Sequence, residues 1–269
     1  MIRNFKKKLM VAFFIYLSLA AFIYIMQRDI QYMPFGKIEE PQNYGLSNIV
    51  EDYIITSDNV KIYSWSKFEG KNNKVIIYFH GNAGNLGDRY YRFKTFADSG
   101  YDFIAISYRG YINSQGSASE KGLINDGLAA INYAKSKGYE NNDIILYGES
   151  LGSGVAIQLA ARSKYNAVIL ESPYSSILSV ARTNYWFLPV KLMLKDKFMS
   201  INYAPNITTP VIIFHGKKDK IVRYEEGVKL YNSINAKKKF ISDDNLGHVQ
   251  FDPEFVIKEY NNFNKINNE

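Results

Sequence analysis

The chain has no cysteine among its 269 residues. That excludes disulfides, a thiol nucleophile, a cysteine-ligated zinc and a lipidated N-terminal cysteine. Histidine is scarce as well, at three residues, so any general base comes from a short roster. Net positive charge is small outside the N-terminus. The formal charge of +7 raises nucleic acid as a partner. However, Arg3, Lys6, Lys7 and Lys8 carry four of those charges. The later run Lys237-Lys238-Lys239 lies beside Asp243 and Asp244 and reads as a solvated turn. No nucleic-acid partner is expected. The sequence also has no internal repeat and no low-complexity tract. What remains is 46% apolar and 22% charged, a composition that packs a core. A body of this length suits one α/β domain.

One long uncharged run is present. Leu9 to Met26 reads LMVAFFIYLSLAAFIYIM, with Ser18 its only strongly polar residue. Eighteen residues at ~1.5 Å each give about 27 Å of helix, close to the ~30 Å hydrocarbon core of a bilayer. Residues 1–8 form a basic tail before it. The positive-inside rule then keeps the N-terminus cytoplasmic and puts the body on the non-cytoplasmic side, periplasmic in a bacterium. A cleaved signal peptide is the alternative, with Ser18-Leu19-Ala20 as its site. The apolar run continues through Met26, too long for a signal core, so a single-pass anchor over 9–26 is expected. Residues 27–45, with Pro34, Gly36, Pro41 and Gly45, read as a linker. The chemistry-bearing motifs all lie beyond residue 79, so triad chemistry is expected to survive removal of residues 1–26.

Residues 46–269 alternate short β-branched runs with helical periodicity. Strands are expected at 50–56, 61–68, 74–79, 102–107, 143–147, 167–170, 211–214 and 238–242. Helices are expected at about 87–99, 119–137, 151–162, 224–234 and 252–264. Val50–Thr56 and Lys61–Phe68 form an antiparallel pair across Ser57-Asp58-Asn59. The later alternation implies a parallel sheet wrapped on both faces. Residues 174–209 break the rhythm and hold Tyr185-Trp186-Phe187-Leu188-Pro189. A connection this long usually carries structure or function, and it reads as a small helical cap.

Gly148-Glu149-Ser150-Leu151-Gly152 is a G-x-S-x-G pattern, weak alone. Here a strand precedes it and a helix follows, which places Ser150 on a sharp turn at the carboxyl edge of the sheet. A serine hydroxyl needs a base. His248 lies in a loop after the last strand and is the natural choice, whereas His80 and His215 sit at strand ends and read as packed or hydrogen-bonded behind the site. The base needs an acid to orient it. Asp219 follows strand VIIF, giving the chain order Ser150, Asp219, His248. Asp243, Asp244 and Asp252 are alternatives, but they follow the last strand or lie too near His248. In His80-Gly81-Asn82-Ala83-Gly84-Asn85, small residues let the backbone approach substrate. The backbone N–H groups of Asn82 and Leu151 are the expected oxyanion donors.

HGNAGN, Tyr108-Arg109-Gly110-Tyr111 with Ser114 and Gly116, then GESLG, HGKKD and Gly247-His248 occur in one order. Over about residues 50–260 the chain resembles the α/β-hydrolase superfamily, in particular its single-span, membrane-anchored α/β-hydrolase-domain proteins. Soluble depalmitoylases and some bacterial serine hydrolases are more distant. The resemblance implies an α/β-hydrolase fold: a mostly parallel sheet of about eight strands, helices on both faces and a small helical cap. Two departures stand out. Ile112-Asn113 replaces the usual Gly-Lys, and Glu149 stands where a basic residue is common. Both are expected to bear on substrate preference.

The expected activity is cleavage of an ester or thioester in a small-molecule or lipid-like acyl substrate, with neither cofactor nor metal. A serine peptidase or amidase on the same triad is one alternative. A catalytically silent, membrane-anchored binding protein is another.

Overall fold

The computed structural model describes residues 2–69 and 73–268. Met1, residues 70–72 and Glu269 lie outside the described residues, as parts of the expected tail and body. Helix α1 (Ile2–Gln31) leads into an eight-stranded sheet. The strands are β1 (Val50–Ile55), β2 (Lys61–Lys67), β3 (Val75–Phe79), β4 (Asp102–Ile106), β5 (Ile144–Glu149), β6 (Ala167–Glu171), β7 (Val211–Gly216) and β8 (Lys238–Asp243). Their spatial order is β1-β2-β4-β3-β5-β6-β7-β8. The β1–β2 and β2–β4 pairs are antiparallel, and every later pair is parallel.

Every residue of β3, β4, β5, β6 and β7 is buried. That is the pattern of strands covered on both faces. One apolar cluster packs α3 (Glu120–Ser136) and α4 (Leu151–Ala160) on one face. The other packs α2 (Tyr90–Asp98) and α9 (Pro253–Asn268) on the opposite face. Helix α3 starts at Ser119, whose side chain accepts from Gly122 N–H at 3.1 Å, an N-cap on an otherwise orphan donor. Helix α8 (Tyr224–Ser233) bridges β7 and β8.

The chain leaves β3 for β4 on one side, then returns to place β5 on the other. Strand order therefore reverses at the β3/β5 boundary, where open α/β sheets form a crevice beyond their carboxyl ends. The Asn82 loop follows β3 and Ser150 follows β5.

Residues 174–209 contain three short helices: α5 (Ile177–Asn184), α6 (Val190–Met193) and α7 (Ser200–Tyr203). α1 is long and apolar enough to cross a membrane by length and composition. It extends in both directions beyond the uncharged run. Residues 2–8 of the expected tail are helical, and so are residues 27–31 of the expected linker. The helix continues past Met26 because its next polar residues find tertiary partners. Gln27 donates to Met193 O at 3.2 Å and accepts from Lys195 N–H at 2.7 Å. Arg28 pairs with the buried carboxylate of Asp196 through two bonds, at 2.8 and 3.3 Å. The rest of the expected linker is pinned too, for Tyr32 and Pro41 are buried.

Candidate active site

Strand β5 delivers Ser150 to a backbone conformation of φ 48°, ψ −111°. A non-glycine residue at positive φ stores strain, which persists only where the surroundings hold it. Here they do. Ser150 N–H donates to Glu171 O at 2.9 Å, and the Ser153 hydroxyl donates to Ser150 O at 2.6 Å. Close approach also requires the flanking glycines. A Cβ on Gly152 would stand 2.0 Å from Phe79 O, and one on Gly148 would stand 2.6 Å from Gly152 O.

The three residues singled out in the sequence meet at this edge. His248 Nε2 lies 2.9 Å from Ser150 Oγ, and His248 Nδ1 lies 2.7 Å from Asp219 Oδ2. Asp219 Oδ1 accepts from the N–H groups of Ile221 and Val222, each at 2.9 Å. Burial alone would raise the Asp219 carboxyl. Hydrogen bonds from His215 and His248 outweigh it and hold the group well below the usual carboxylate range. Asp219 is therefore ionised at any ordinary pH. The His248 loop is itself held: Val249 has φ 54° and donates its N–H to Ser172 Oγ at 3.0 Å. A β-branched residue at positive φ is an outlier that its anchoring must maintain.

Asp243 turns away from this run. It caps its own loop by accepting from Asn245 N–H at 2.7 Å, and exposed Asp244 pairs with Lys217. His80 is fully buried, donates from Nδ1 to Gly81 O at 2.6 Å and packs on the Tyr108 ring. Burial, with the Arg89 cation nearby, pushes it down to about 3, so it is neutral.

His215 has a part that the sequence did not reveal. Its Nε2 lies 2.9 Å from Val222 O and 3.3 Å from Asp219 Oδ2. Two imidazoles thus converge on the same oxygen, Asp219 Oδ2. The His215-to-Asp219 spacing of four was the available signal, but it cannot distinguish a partner from a strand-end filler.

The N–H groups of Asn82 and Leu151 have no hydrogen-bond acceptor among the described residues. Leu151 is the first residue of α4, where an N–H is orphaned by helix geometry. The Asn82 loop is fixed on several sides. Gly81 N–H donates to Glu149 Oε1 at 3.2 Å. Asn82 O accepts from Tyr111 OH at 2.8 Å and from Met33 N–H at 2.9 Å, while Gly84 N–H donates to Met33 O at 3.1 Å.

Glu149, one of the two departures, backs the Asn82 loop through Gly81. It is buried and paired with Arg89 at 2.9 Å, and it accepts from Tyr78 OH. Burial would raise this carboxyl, but Arg89 and Arg92 outweigh it and bring it down to about 2. Beside it Arg92 forms a two-bond pair with Glu171, at 2.7 and 3.0 Å. The other departure, Asn113, sits at φ 65° in a turn closed by Ser107 Oγ on Ile112 O at 2.7 Å. Asparagine tolerates that conformation. Arg109 of the YRGY motif is also architectural, joining Asp58 on the β1–β2 turn to Asp126 in α3.

A cavity of about 230 Å³ lies between the cap and the end of α1. Asn82 and Ile221, two residues beyond Asp219, both line it, and the rest is mainly apolar.

Comparison with known proteins agrees with this architecture. The family described as "Serine aminopeptidase, S33" matches residues 70–201. "Uncharacterized protein R595" of Acanthamoeba polyphaga mimivirus is 34% identical over 229 residues, covering 77% of this chain and 76% of that one. "Lysophosphatidylserine lipase ABHD12" of Rattus norvegicus is 29% identical over 245 residues. That alignment covers 77% of this chain, which spans only 61% of the rat protein's length. Among solved structures, the Pyrococcus furiosus esterase Pf2001 superposes with a TM-score of 0.73 at 21% identity, covering 88% of this chain and 96% of that one. Est1E from Butyrivibrio proteoclasticus gives 0.65 at 20% identity, with 80% and 99% covered. The chain belongs to the α/β-hydrolase superfamily.

Proposed function

We propose that the chain is a serine ester hydrolase, tethered to a membrane by α1 and acting on lipid-like acyl substrates. The observation that carries this reading is the hydrogen-bonded run Asp219–His248–Ser150, with both links at hydrogen-bond length. Ser150 Oγ attacks the substrate carbonyl carbon and His248 Nε2 takes its proton. Asp219 holds the Nδ1–H tautomer and stabilises the imidazolium. The N–H groups of Asn82 and Leu151 receive the oxyanion, each typically worth ~3–4 kcal/mol in the transition state. His248 returns the proton to the departing alcohol. Water then attacks the acyl carbon as His248 takes its proton, and His248 returns that proton to Ser150 Oγ as the acyl–Oγ bond breaks and the acid leaves.

The lipid-like substrate class is supported by the apolar cavity beside Asn82 and by the lipase named among the relatives. A second reading, peptide or amide cleavage, draws on the name of the matching family. The same three residues serve either bond. A panel of p-nitrophenyl esters of rising chain length, run beside peptide p-nitroanilides, separates them. Ester turnover at least tenfold faster than amide turnover is expected, and the reverse order would move the protein to the peptidases. Labelling of Ser150 by a fluorophosphonate tests catalysis itself, and an unlabelled, folded protein would mean a silent binding module.

Arg3, Lys6, Lys7 and Lys8 precede the apolar run, which supports a cytoplasmic N-terminus and a non-cytoplasmic body. A C-terminal alkaline phosphatase fusion reads the side directly. It is expected to be active, and a stable but inactive fusion would reverse the orientation.

A further inference from the structure

The inner end of α1 lines the cavity that reaches the Asn82 loop. Tyr16, Ile23, Gln27 and Gln31 recur at spacings of seven, four and four, so they share one helix face. That face lies along the cap. Tyr16 OH donates to Phe187 O at 3.1 Å, and Gln27 bonds to both Met193 and Lys195. Ile23 and Tyr24 between these attachments, with Ile30 just past them, form one wall of the cavity, and Ile177, Val180 and Ala181 of α5 also line it. Just beyond the helix, Met33 bridges the Asn82 loop. Anchor, acyl-sized cavity and oxyanion loop are therefore continuous.

The depth of these contacts matters. Tyr16 stands ten residues before Met26, or about 15 Å of helix, roughly half a bilayer core. A cap carbonyl that bonds Tyr16 lies at the same depth. The neighbouring cap residues fit a lipid environment, because Trp186 is 81% exposed and Leu192 84% exposed. In water these would form a costly apolar patch beside a bare apolar helix. In a leaflet they extend its surface, and the Tyr16 hydroxyl has the partner that hydrocarbon cannot supply.

Resting on the ester-hydrolase reading, we infer that the cap apex is sunk in the same leaflet as α1. A single acyl chain then enters the cavity sideways from the bilayer, between α1 and α5. A volume of about 230 Å³ is below the ~300–1,000 Å³ of pockets for drug-sized ligands. That volume suits a narrow acyl chain.

The test uses the full-length protein in liposomes. Ile23→Trp fills the cavity from the helix side and Ala181→Trp from the cap side. Either substitution is expected to lower the ratio of kcat/KM for long-chain over short-chain p-nitrophenyl esters at least tenfold. Ile25→Trp, on an exposed part of the same helix, is expected to leave that ratio within twofold. An unchanged ratio in both cavity variants, or an equal drop in Ile25→Trp, overturns the inference while the ester-hydrolase reading stands. A wild-type protein that neither labels at Ser150 nor cleaves any ester removes that reading and the inference with it. Depth is read from fluorescence, because the chain has two tryptophans, Trp65 in the core and Trp186 on the cap. Lipids brominated on their acyl chains are expected to quench wild-type emission at least twofold more than that of Trp186→Phe. Equal quenching of the two, with Trp186 open to aqueous iodide, overturns the leaflet placement.

Discussion

The two sides of Ser150 are built from different materials. Behind it, toward the sheet, charged groups are paired: Glu149 with Arg89, and Arg92 with Glu171. In front of it, the cap consists of short helices, two of them only four residues long, and it exposes Trp186, Phe187 and Leu192. The contrast shows where positional accuracy is needed. Reacting atoms must be held within a few tenths of an ångström, and a network of charge-assisted hydrogen bonds on strands does that. An acyl chain asks only for apolar volume, which short helices against a longer one can provide.

The largest effects should come from the rigid side. Ser150→Ala is expected to lower kcat by ~10⁴–10⁶ with the fold intact, since members of such a triad act as a unit. Circular dichroism and ester kinetics on one preparation check it. Substantial residual turnover would mean that another nucleophile is at work. Asp219→Asn should keep the structure yet cost ~10⁴, by the effect of a wrong histidine tautomer. If Asp243→Asn is the more damaging of the two, the acid has been misassigned.

Arg92→Met leaves Glu171 buried without its cation and should destabilise by about 3–5 kcal/mol, measured by denaturant unfolding in detergent. A loss below 1 kcal/mol would deny the network a structural role. Glu149→Gln should cost about 1–3 kcal/mol at neutral pH. It also carries a pH signature. A carboxyl held at about 2 when folded stabilises above its ordinary value near 4.5. That contribution is lost as pH falls from there toward 2. The variant should lose less stability than the wild type between pH 5 and 3, and parallel profiles would contradict the assignment. On the other side of the comparison, Leu192→Ser should change stability by less than about 0.5 kcal/mol. A drop of several degrees in Tm would mean that the cap apex is packed rather than lipid-facing.

Much of the sheet was legible because its signals are local. KVIIYF, DFIAIS and VIIF are short apolar runs that only a doubly covered strand explains, and each became one. G-x-S-x-G between a strand and a helix located the turn at Ser150. Histidine scarcity narrowed the base to three residues, and loop position favoured His248. The full extent of the first helix was not legible from where the hydrophobic run stopped. The expected end at Met26 is followed by helix to Gln31, because Gln27 and Arg28 are stabilised by residues some 170 positions away. The pairing of Glu149 was hidden for a similar reason, because its partners, Tyr78 and Arg89, come from other elements.

The order of strands and helices, the apolar anchor-length run and the residue types available for chemistry were determined by the sequence alone. Each depends on periodicity or composition over a few neighbouring residues. Tertiary structure decided which groups meet. His215 beside Asp219, Met33 on the Asn82 loop, and the inner end of α1 against the cap all join residues distant along the chain, apart from the first. Such contacts come from packing against a common core and leave no periodic trace, so only the folded chain brings the end of α1 up to the cap and the Asn82 loop.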